Sequence, residues 1–396
     1  MARAARVAMA AARGFGAGAL WLAIAVLLAA TFAPAFLDRV YYVGPDSDHY
    51  DGVRFFNPDG AVSFPVPPGA RRGNLLTRFL IASPERPPWP AHVPVRATRP
   101  PVRVFGRAMR ATWVGHATVL VQTGGLNILT DPVWSDVVSP FPPLGPRRVA
   151  EPGVGFDDLP KIDLVVVSHN HYDHMDLPTL RRLWQRDRPV IVTGLGNDRI
   201  LREAGVPAVA RDWGGSVRAK GATVHLLRNH HWSSRWGRDR NRALWSAFLI
   251  ETPGGTIFFA GDTGRGDGRW PAAARAYGPI RLALLPIGAF RFYPGQMEND
   301  AHIGPEQAVA LFGQLRPALA LPIHWGTFRL SGEGYDTPPR LLDIFARCAG
   351  LGPHRFRAAA IGAPVMVPER AERGAVPDAG ARAACRPGSA ALRALR

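Results

Sequence analysis

The fold prediction starts from the stretch Asp163-Leu164-Val165-Val166-Val167-Ser168-His169-Asn170-His171-Tyr172-Asp173-His174. Its first half is an unbroken apolar run, which is typical of a strand buried on both faces. Its second half places three imidazoles and a carboxylate in the pattern His-x-His-x-Asp-His. Neither strand alternation nor helical periodicity brings all four side chains together. We therefore predict a loop at a strand end that curls around a metal such as Zn²⁺, since a solvated polar loop explains this histidine density less well.

The composition is that of a large globular protein, with 396 residues of which 47% are hydrophobic. Such a chain can bury a large core in one or two domains. A formal net charge of +17 suits an anionic partner. However, only Lys161 and Lys220 among the 48 basic residues are lysines, so arginine-rich codon usage explains the charge equally well. Because no dense basic run with interleaved aromatics occurs, we expect no nucleic-acid partner.

The two cysteines, Cys348 and Cys385, form no CxxC motif. Two cysteines so far apart exclude a disulfide scaffold and a cysteine-rich metal site. Any metal in this protein must therefore be held by His and carboxylate side chains.

The amino-terminal segment has the pattern of a membrane anchor. Residues 1–13 carry three arginines and no acid, and residues 14–37 contain no charge. An apolar stretch of roughly 20 residues is long enough to cross a bilayer, and the preceding arginines predict a cytoplasmic amino terminus. We predict an uncleaved single-pass anchor with the remainder of the chain on the outer side. The alternative is a cleaved signal peptide ending near Ala33-Pro34-Ala35.

The rest of the chain divides into three parts. Residues 38–105 are rich in Pro and Gly and predict an extended arm that wraps the main domain or links it to the membrane. Residues 106–368 are predicted to form the main domain. Residues 369–396 lack a hydrophobic pattern and are predicted to be disordered.

Regular patterning within the main domain predicts sheets covered by helices. Amphipathic helices are predicted at Pro178–Arg188 and Pro305–Leu315. Apart from the opening run, strands are predicted at Ala111–Val114, Thr118–Gln122, Leu126–Asp131, Val190–Thr193, Thr223–Leu227, Ala247–Glu251, Thr256–Ala260, Leu282–Pro286 and Ala318–Ile323. Three of these strands lead directly to candidate ligands: His230-His231, Asp262 and His324. A lone Asp or His in such a place is more often a turn or core residue, but the repeated placement favours metal binding.

These motifs together resemble the metallo-β-lactamase superfamily. Within it, the chain is similar to the N-acyl-phosphatidylethanolamine-hydrolysing phospholipase D branch and also resembles the ascorbate-lactone hydrolase group. The resemblance covers about residues 48–365. The motifs that carry it are Trp113-Val114-Gly115-His116-Ala117-Thr118, Thr130-Asp131-Pro132, His231-Trp232, Phe259-Ala260-Gly261-Asp262-Thr263-Gly264, Ile323-His324-Trp325-Gly326-Thr327-Phe328, Phe56-Asn57-Pro58 and His302-Ile303-Gly304-Pro305-Glu306.

The resemblance implies an α/β fold, an αββα sandwich with two Zn²⁺ or other divalent ions at one edge. One ion would be held by His169, His171 and His231, the other by Asp173, His174 and His324, with Asp262 bridging. His302 would place substrate or handle a proton, so Asp173, Asp262 and His302 are the expected catalytic residues. Asp131 would buttress the ligand loops without binding metal. His116 would be a supporting or purely structural residue, and His230 would lie outside the ligand set.

The resemblance further implies a phosphodiesterase of the phospholipase D type, acting on phospholipid at a membrane, with a homodimer possible. Trp232, Trp236 and Trp245, with arginines between them, could line a surface for anionic headgroups or simply form a basic loop over the core. Hydrolysis of a lactone or small ester is the second enzyme hypothesis. A nuclease and a catalytically dead lipid-binding scaffold are disfavoured, the latter because every expected ligand is present.

Overall fold

Two β-sheets form the centre of the protein. The computed structural model describes residues 15–28, 31, 36–63, 65–66, 87–352, 354–371 and 379–395. The first sheet has the strand order β13-β1-β2-β3-β4-β5-β6 and the second β12-β11-β10-β9-β8-β7. The strands are β1 Met109–Gly115, β2 Thr118–Thr123, β3 Leu126–Thr130, β4 Leu164–Val167, β5 Val190–Gly194, β6 Val209–Arg211, β7 Ser216–Ala219, β8 Ala222–Leu227, β9 Ala247–Thr252, β10 Gly255–Phe259, β11 Ile280–Pro286, β12 Leu319–Ile323 and β13 Pro364–Met366.

Helices cover the outer face of each sheet. The helices are α1 Leu177–Asp187, α2 Asn197–Glu203, α3 Ala272–Arg275, α4 Pro305–Leu315, α5 Thr337–Cys348, α6 Ala379–Ala384 and α7 Ala390–Arg393. Both predicted amphipathic helices are present: α4 has the predicted bounds and α1 starts and ends one residue earlier. In each, a proline occupies the first turn, where its missing N–H removes no helical hydrogen bond.

Three apolar layers hold the sandwich together. Side chains between the sheets form the central core, which includes Trp113, Val121, Phe248 and Phe259. A second layer joins the outer face of the first sheet to α1 and α2, and a third joins the second sheet to α4 and α5. Since the central strands of each sheet are buried on both faces, strands such as β4 and β11 are nearly continuous apolar runs. The predicted mixed α/β fold with two sheets is confirmed.

The strand directions bring the candidate ligands to one edge. Strand β4 pairs in parallel with β3 and β5, and β11 pairs in parallel with β10 and β12. Strand β8 runs in the same direction as β10, because each is antiparallel to β9. The loops after β4, β8, β10 and β12 therefore leave their strands at corresponding ends.

The predicted transmembrane anchor is wrong. Among the described residues no helix is both long enough and apolar enough to cross a membrane. The single-pass orientation inferred from the anchor is wrong with it. Residues 1–13, expected to be a cytoplasmic segment, lie outside the described residues.

Both terminal extensions contact the main domain. Described parts of the arm have little regular structure but bury Tyr41, Tyr50 and Phe55. At the other end, residues 379–395 form α6 and α7 and bury Leu392, so they are not disordered as expected. A disulfide between Cys348 and Cys385 joins this segment to the end of α5. Residues 372–378 and 396 lie outside the described residues.

Candidate metal centre

Two clusters of histidine and carboxylate side chains lie at the edge where the strand ends meet. The first consists of His169, His171, His231 and Asp262, whose candidate ligand atoms all lie within 4.8 Å of one another. His169 Nε2 lies 2.7 Å from His171 Nδ1. The loop after β4 thus supplies two nitrogens, and the ends of β8 and β10 supply the rest of the cluster.

The second cluster consists of His116, Asp173, His174 and His324, again within 4.8 Å. Asp173 Oδ2 lies 3.4 Å from His174 Nε2 and 3.5 Å from His324 Nε2. The same oxygen lies 2.9 Å from His116 Nε2. His116, expected only as a support or structural residue, is therefore in direct contact with a predicted ligand.

Asp262 faces both clusters with one oxygen. Its Oδ2 lies 3.0 Å from Nε2 of His174 and 3.0 Å from Nε2 of His324. The distance from the same oxygen to Nε2 of His231 is 3.9 Å. All seven side chains predicted as ligands are brought together, and Asp262 lies at the place expected for a bridging group.

Partners behind the rings leave the Nε2 atoms pointing inward. Nδ1 of His174 lies 2.6 Å from Asp131, and Nδ1 of His231 lies 2.9 Å from the Ala301 carbonyl oxygen. Within the described part of the chain, the buried Nε2 atoms of His171 and His231 have no hydrogen-bond partner. Buried polar atoms without partners are costly, and a borderline metal ion would satisfy this set of nitrogen and oxygen donors. The residues present therefore fit a bound metal.

Burial and mutual contact shift the ionisation of these groups. Burial alone would raise the pKa of Asp262, but His174 and His324 hold that pKa well below its usual range. Burial alone would lower the pKa of His324, but Asp262 and Asp173 raise it to about 9. The same carboxylates raise the pKa of His174 well above its usual range. In the metal-free centre the rings of His174 and His324 therefore hold protons near neutral pH, and a binding metal would have to displace these protons.

His302 lies beside the clusters as expected. Its Nδ1 is 3.7 Å from Asp262 Oδ2, and its ring stacks at 5.3 Å on that of His324. Backbone N–H groups of Ala301 and His302 donate to the Asn299 side chain, which fixes the turn. Burial, opposed by Asp262 but reinforced by His324, lowers the pKa of His302 to about 4. The ring is therefore neutral near pH 7.

The aromatic and basic residues that follow His231 are only partly at the surface. Trp245 is fully buried, and the Arg235 guanidinium donates to the carbonyl oxygens of Asn170 and Met175, so neither lines a surface for headgroups. The Trp232 ring lies 4.3 Å from that of His171, and Arg240 lies 4.3 Å above Trp232. Arg240 thus lies beside the ligand His171 through the Trp232 ring, whereas the Arg235 guanidinium is held by the backbone of the loop after β4.

Two arm residues at the site were not recognised as site residues from the sequence. The Asn57 side chain donates to the backbone oxygen of His231, and Asp59 accepts from Nδ1 of His230. His230 is in none of the candidate metal-ligand groups formed by the described residues. The Phe56-Asn57-Pro58 motif could have indicated Asn57 as a site residue, whereas Asp59 belongs to none of the motifs found in the sequence.

Comparison with known proteins agrees with this architecture. Residues 126–325 match the family described as Beta-lactamase superfamily domain. An uncharacterized protein of Mycobacterium tuberculosis is 35% identical over 306 residues, 75% of this chain and 79% of the relative. N-acyl-phosphatidylethanolamine-hydrolyzing phospholipase D 1 of Caenorhabditis elegans is 34% identical over 241 residues, 58% of this chain and 67% of the relative. A possible metal-dependent hydrolase from Veillonella parvula has a similar fold, with a TM-score of 0.52 and 15% identity over 65% of this chain and 99% of that one.

Proposed function

This chain belongs to the β-lactamase superfamily of metal-dependent hydrolases, and we propose that it is a dinuclear zinc phosphodiesterase of the phospholipase D type that cleaves N-acyl-phosphatidylethanolamine-like phospholipids. The observation that carries the proposal is the position of Asp262, whose Oδ2 faces His174 and His324 on one side and His231 on the other. A single carboxylate between two ligand clusters is suited to two ions rather than one.

The ligands would divide between two ions. His169, His171 and His231 would hold one, Asp173, His174 and His324 would hold the other, and Asp262 would contact both. Two zinc ions held in this way would supply Lewis acidity and a nucleophile at neutral pH. His116, through its 2.9 Å contact with Asp173 Oδ2, would keep that carboxylate turned towards its ion.

The remaining chemistry falls to His302. Water attacks phosphorus, the bond from phosphorus to the leaving oxygen breaks, and the products are a phosphomonoester and an alcohol. Because burial keeps the His302 ring neutral near pH 7, its Nδ1 can accept the proton of the attacking water and return it to the leaving oxygen. No serine or cysteine nucleophile is required.

Two observations support phospholipid as the substrate class. The relative from Caenorhabditis elegans is named for hydrolysis of N-acyl-phosphatidylethanolamine. In addition, Arg240 lies over Trp232, whose ring contacts the ligand His171. A guanidinium at this position would attract an anionic phosphodiester towards the ions.

The test is a product assay with purified, zinc-loaded protein. We expect phosphatidic acid and N-acylethanolamine from N-acyl-phosphatidylethanolamine, and no activity after chelation. A lactone and small-ester panel run in parallel covers the second hypothesis. If the protein hydrolyses the lactones or small esters but leaves the phospholipid intact, the substrate proposal is overturned, whereas the proposed metal centre is not. Arg240→Gln should raise KM for the phospholipid, whereas the matched change Arg340→Gln, at an exposed arginine on α5, should not.

A further inference from the structure

The arm reaches the candidate metal centre through Asn57. This side chain is 6% exposed, and its amide nitrogen donates to the backbone oxygen of His231 at 2.8 Å. Its own oxygen accepts from the indole N–H of Trp245 at 3.2 Å. Both polar atoms of the Asn57 side chain therefore have hydrogen-bond partners, and one of these partners is the main chain of the proposed ligand His231.

Asp59 joins two ligand-bearing loops. Its side chain is 5% exposed, and Oδ1 lies 2.9 Å from His230 Nδ1 and 2.7 Å from the Arg228 guanidinium, both in the loop that follows β8. Its Oδ2 accepts the backbone N–H of Asp267, in the loop that follows Asp262. One buried carboxylate from the arm thus holds the loop of His231 against the loop of Asp262.

The two loops also contact each other directly. The backbone N–H of Gly264 donates to the backbone oxygen of His230 at 2.6 Å, and the side-chain amide of Asn229 donates to the backbone oxygen of Asp262 at 2.8 Å. These bonds join the two loops but involve neither the backbone oxygen of His231 nor the ring of His230. Asn57 and Asp59 contact these two groups.

Attachment of the arm alone would not require this arrangement. Tyr50 and Phe55 already pack against Leu244 and Trp245, and Tyr41 donates a buried hydrogen bond to Asp239. The polar contacts of Asn57 and Asp59 instead include the backbone of His231 itself, the ring of its neighbour His230 and the backbone of the loop after Asp262. Partners behind a metal ligand orient it, and their loss typically weakens metal affinity about 10–100-fold.

We infer that Asn57 and Asp59 are positioning residues for the metal centre, acting through the backbone of His230-His231 and the loop after Asp262. The inference rests on the proposed metal centre, and it extends that centre to residues 57–59, outside the matched range 126–325. Asn57 sets the position of His231, and Asp59 sets the distance between the His231 and Asp262 loops.

The experiment is a cobalt titration of the full chain with Asn57→Asp. This change preserves shape and the acceptor for Trp245 but removes the donor to His231. We expect the dissociation constant of the more weakly bound cobalt ion to rise about 10–100-fold. The visible absorption spectrum of the bound cobalt should also change. Tyr41→Phe is the matched control, since it removes a buried arm contact to Asp239, a residue that belongs to neither cluster. It should match the wild-type spectrum and affinity.

Asp59→Asn provides a second variant if Asn57→Asp does not fold. It should also weaken cobalt binding, because an amide cannot accept at both oxygen positions. Wild-type affinity and spectrum in the folded variants would overturn the inference. Wild-type protein that binds no cobalt would instead overturn the proposed metal centre, so the two failures are distinguishable.

Discussion

The Oδ2 atom of Asp131 lies 2.6 Å from Nδ1 of His174, and neither side chain is exposed to solvent. The same carboxylate accepts from the backbone N–H and the hydroxyl of Ser168, which precedes the ligand loop. Asp131 therefore fixes the ring of His174 and the start of the loop together. Such a carboxylate behind a histidine leaves Nε2 free for metal.

Asp131→Asn should weaken zinc binding about 10–100-fold. The amide offers one acceptor oxygen where the carboxylate offers two, so either His174 or Ser168 loses its partner. Competition with a chromophoric chelator measures the affinity. Asp239→Asn is the control, because Asp239 is equally buried and accepts several N–H groups without contacting a histidine of the clusters. Equal losses in both variants would contradict a specific role for Asp131.

The thermal stability of the metal-free protein should fall as the pH rises from about 6.5 to 9. His324 has its folded-state pKa raised to about 9 by Asp262 and Asp173, while an unfolded histidine titrates near 6.5. Its stabilising contribution is therefore complete below about pH 6.5 and is lost as the pH passes through the folded-state pKa. Melting curves with and without zinc measure this. A metal-free Tm that rises across the range would contradict the ionisation described for His324.

His302→Gln should lower kcat by about 10²–10⁴-fold while leaving the zinc content unchanged. The variant loses the neutral ring beside Asp262 but none of the proposed ligands. Steady-state kinetics together with elemental analysis separate the two effects. His225→Gln is the control, because His225 pairs with Glu251 away from the clusters. Loss of zinc from His302→Gln would show that His302 supports the ions rather than the reaction.

Removing the disulfide should destabilise the protein without altering the metal centre. Cys348 and Cys385 are 37 residues apart, and closing a loop of this length stabilises by up to about 4 kcal/mol in the chain-entropy model. Cys348→Ser and Cys385→Ser should each lower the free energy of unfolding in denaturant titrations, with zinc content unchanged. A reductant should lower the free energy of unfolding of the wild-type protein to a similar extent and should leave that of the two variants unchanged. Equal stability with and without the bond would contradict this account.

Much of the sandwich was predictable because its central strands are long apolar runs. The strands around the opening stretch and helix α4 lie within one or two residues of the predicted bounds. The missed strands β6, β7 and β13 are three or four residues long and hardly buried, so their sequences carry little hydrophobic signal. Their strand structure comes from pairing with neighbours.

The cluster residues were predictable because each follows an apolar strand, whereas their supports were not. Asp59 contacts His230 across a sequence separation of 171 residues, and nothing local to Asp59 indicates this. The membrane-anchor prediction rested on composition alone, which suggested a span across residues 14–37. Among the described residues no helix is long and apolar enough to cross a membrane.

The most direct test of the two-metal account is the zinc content of the purified protein by elemental analysis, compared with that of Asp262→Ala. Asp343→Asn, at an exposed carboxylate on α5, is the control. We predict two zinc ions per chain for the wild type and the control, and fewer for Asp262→Ala, because Asp262 faces both clusters. Wild-type protein without bound zinc, or Asp262→Ala retaining two ions at wild-type affinity, would contradict the account.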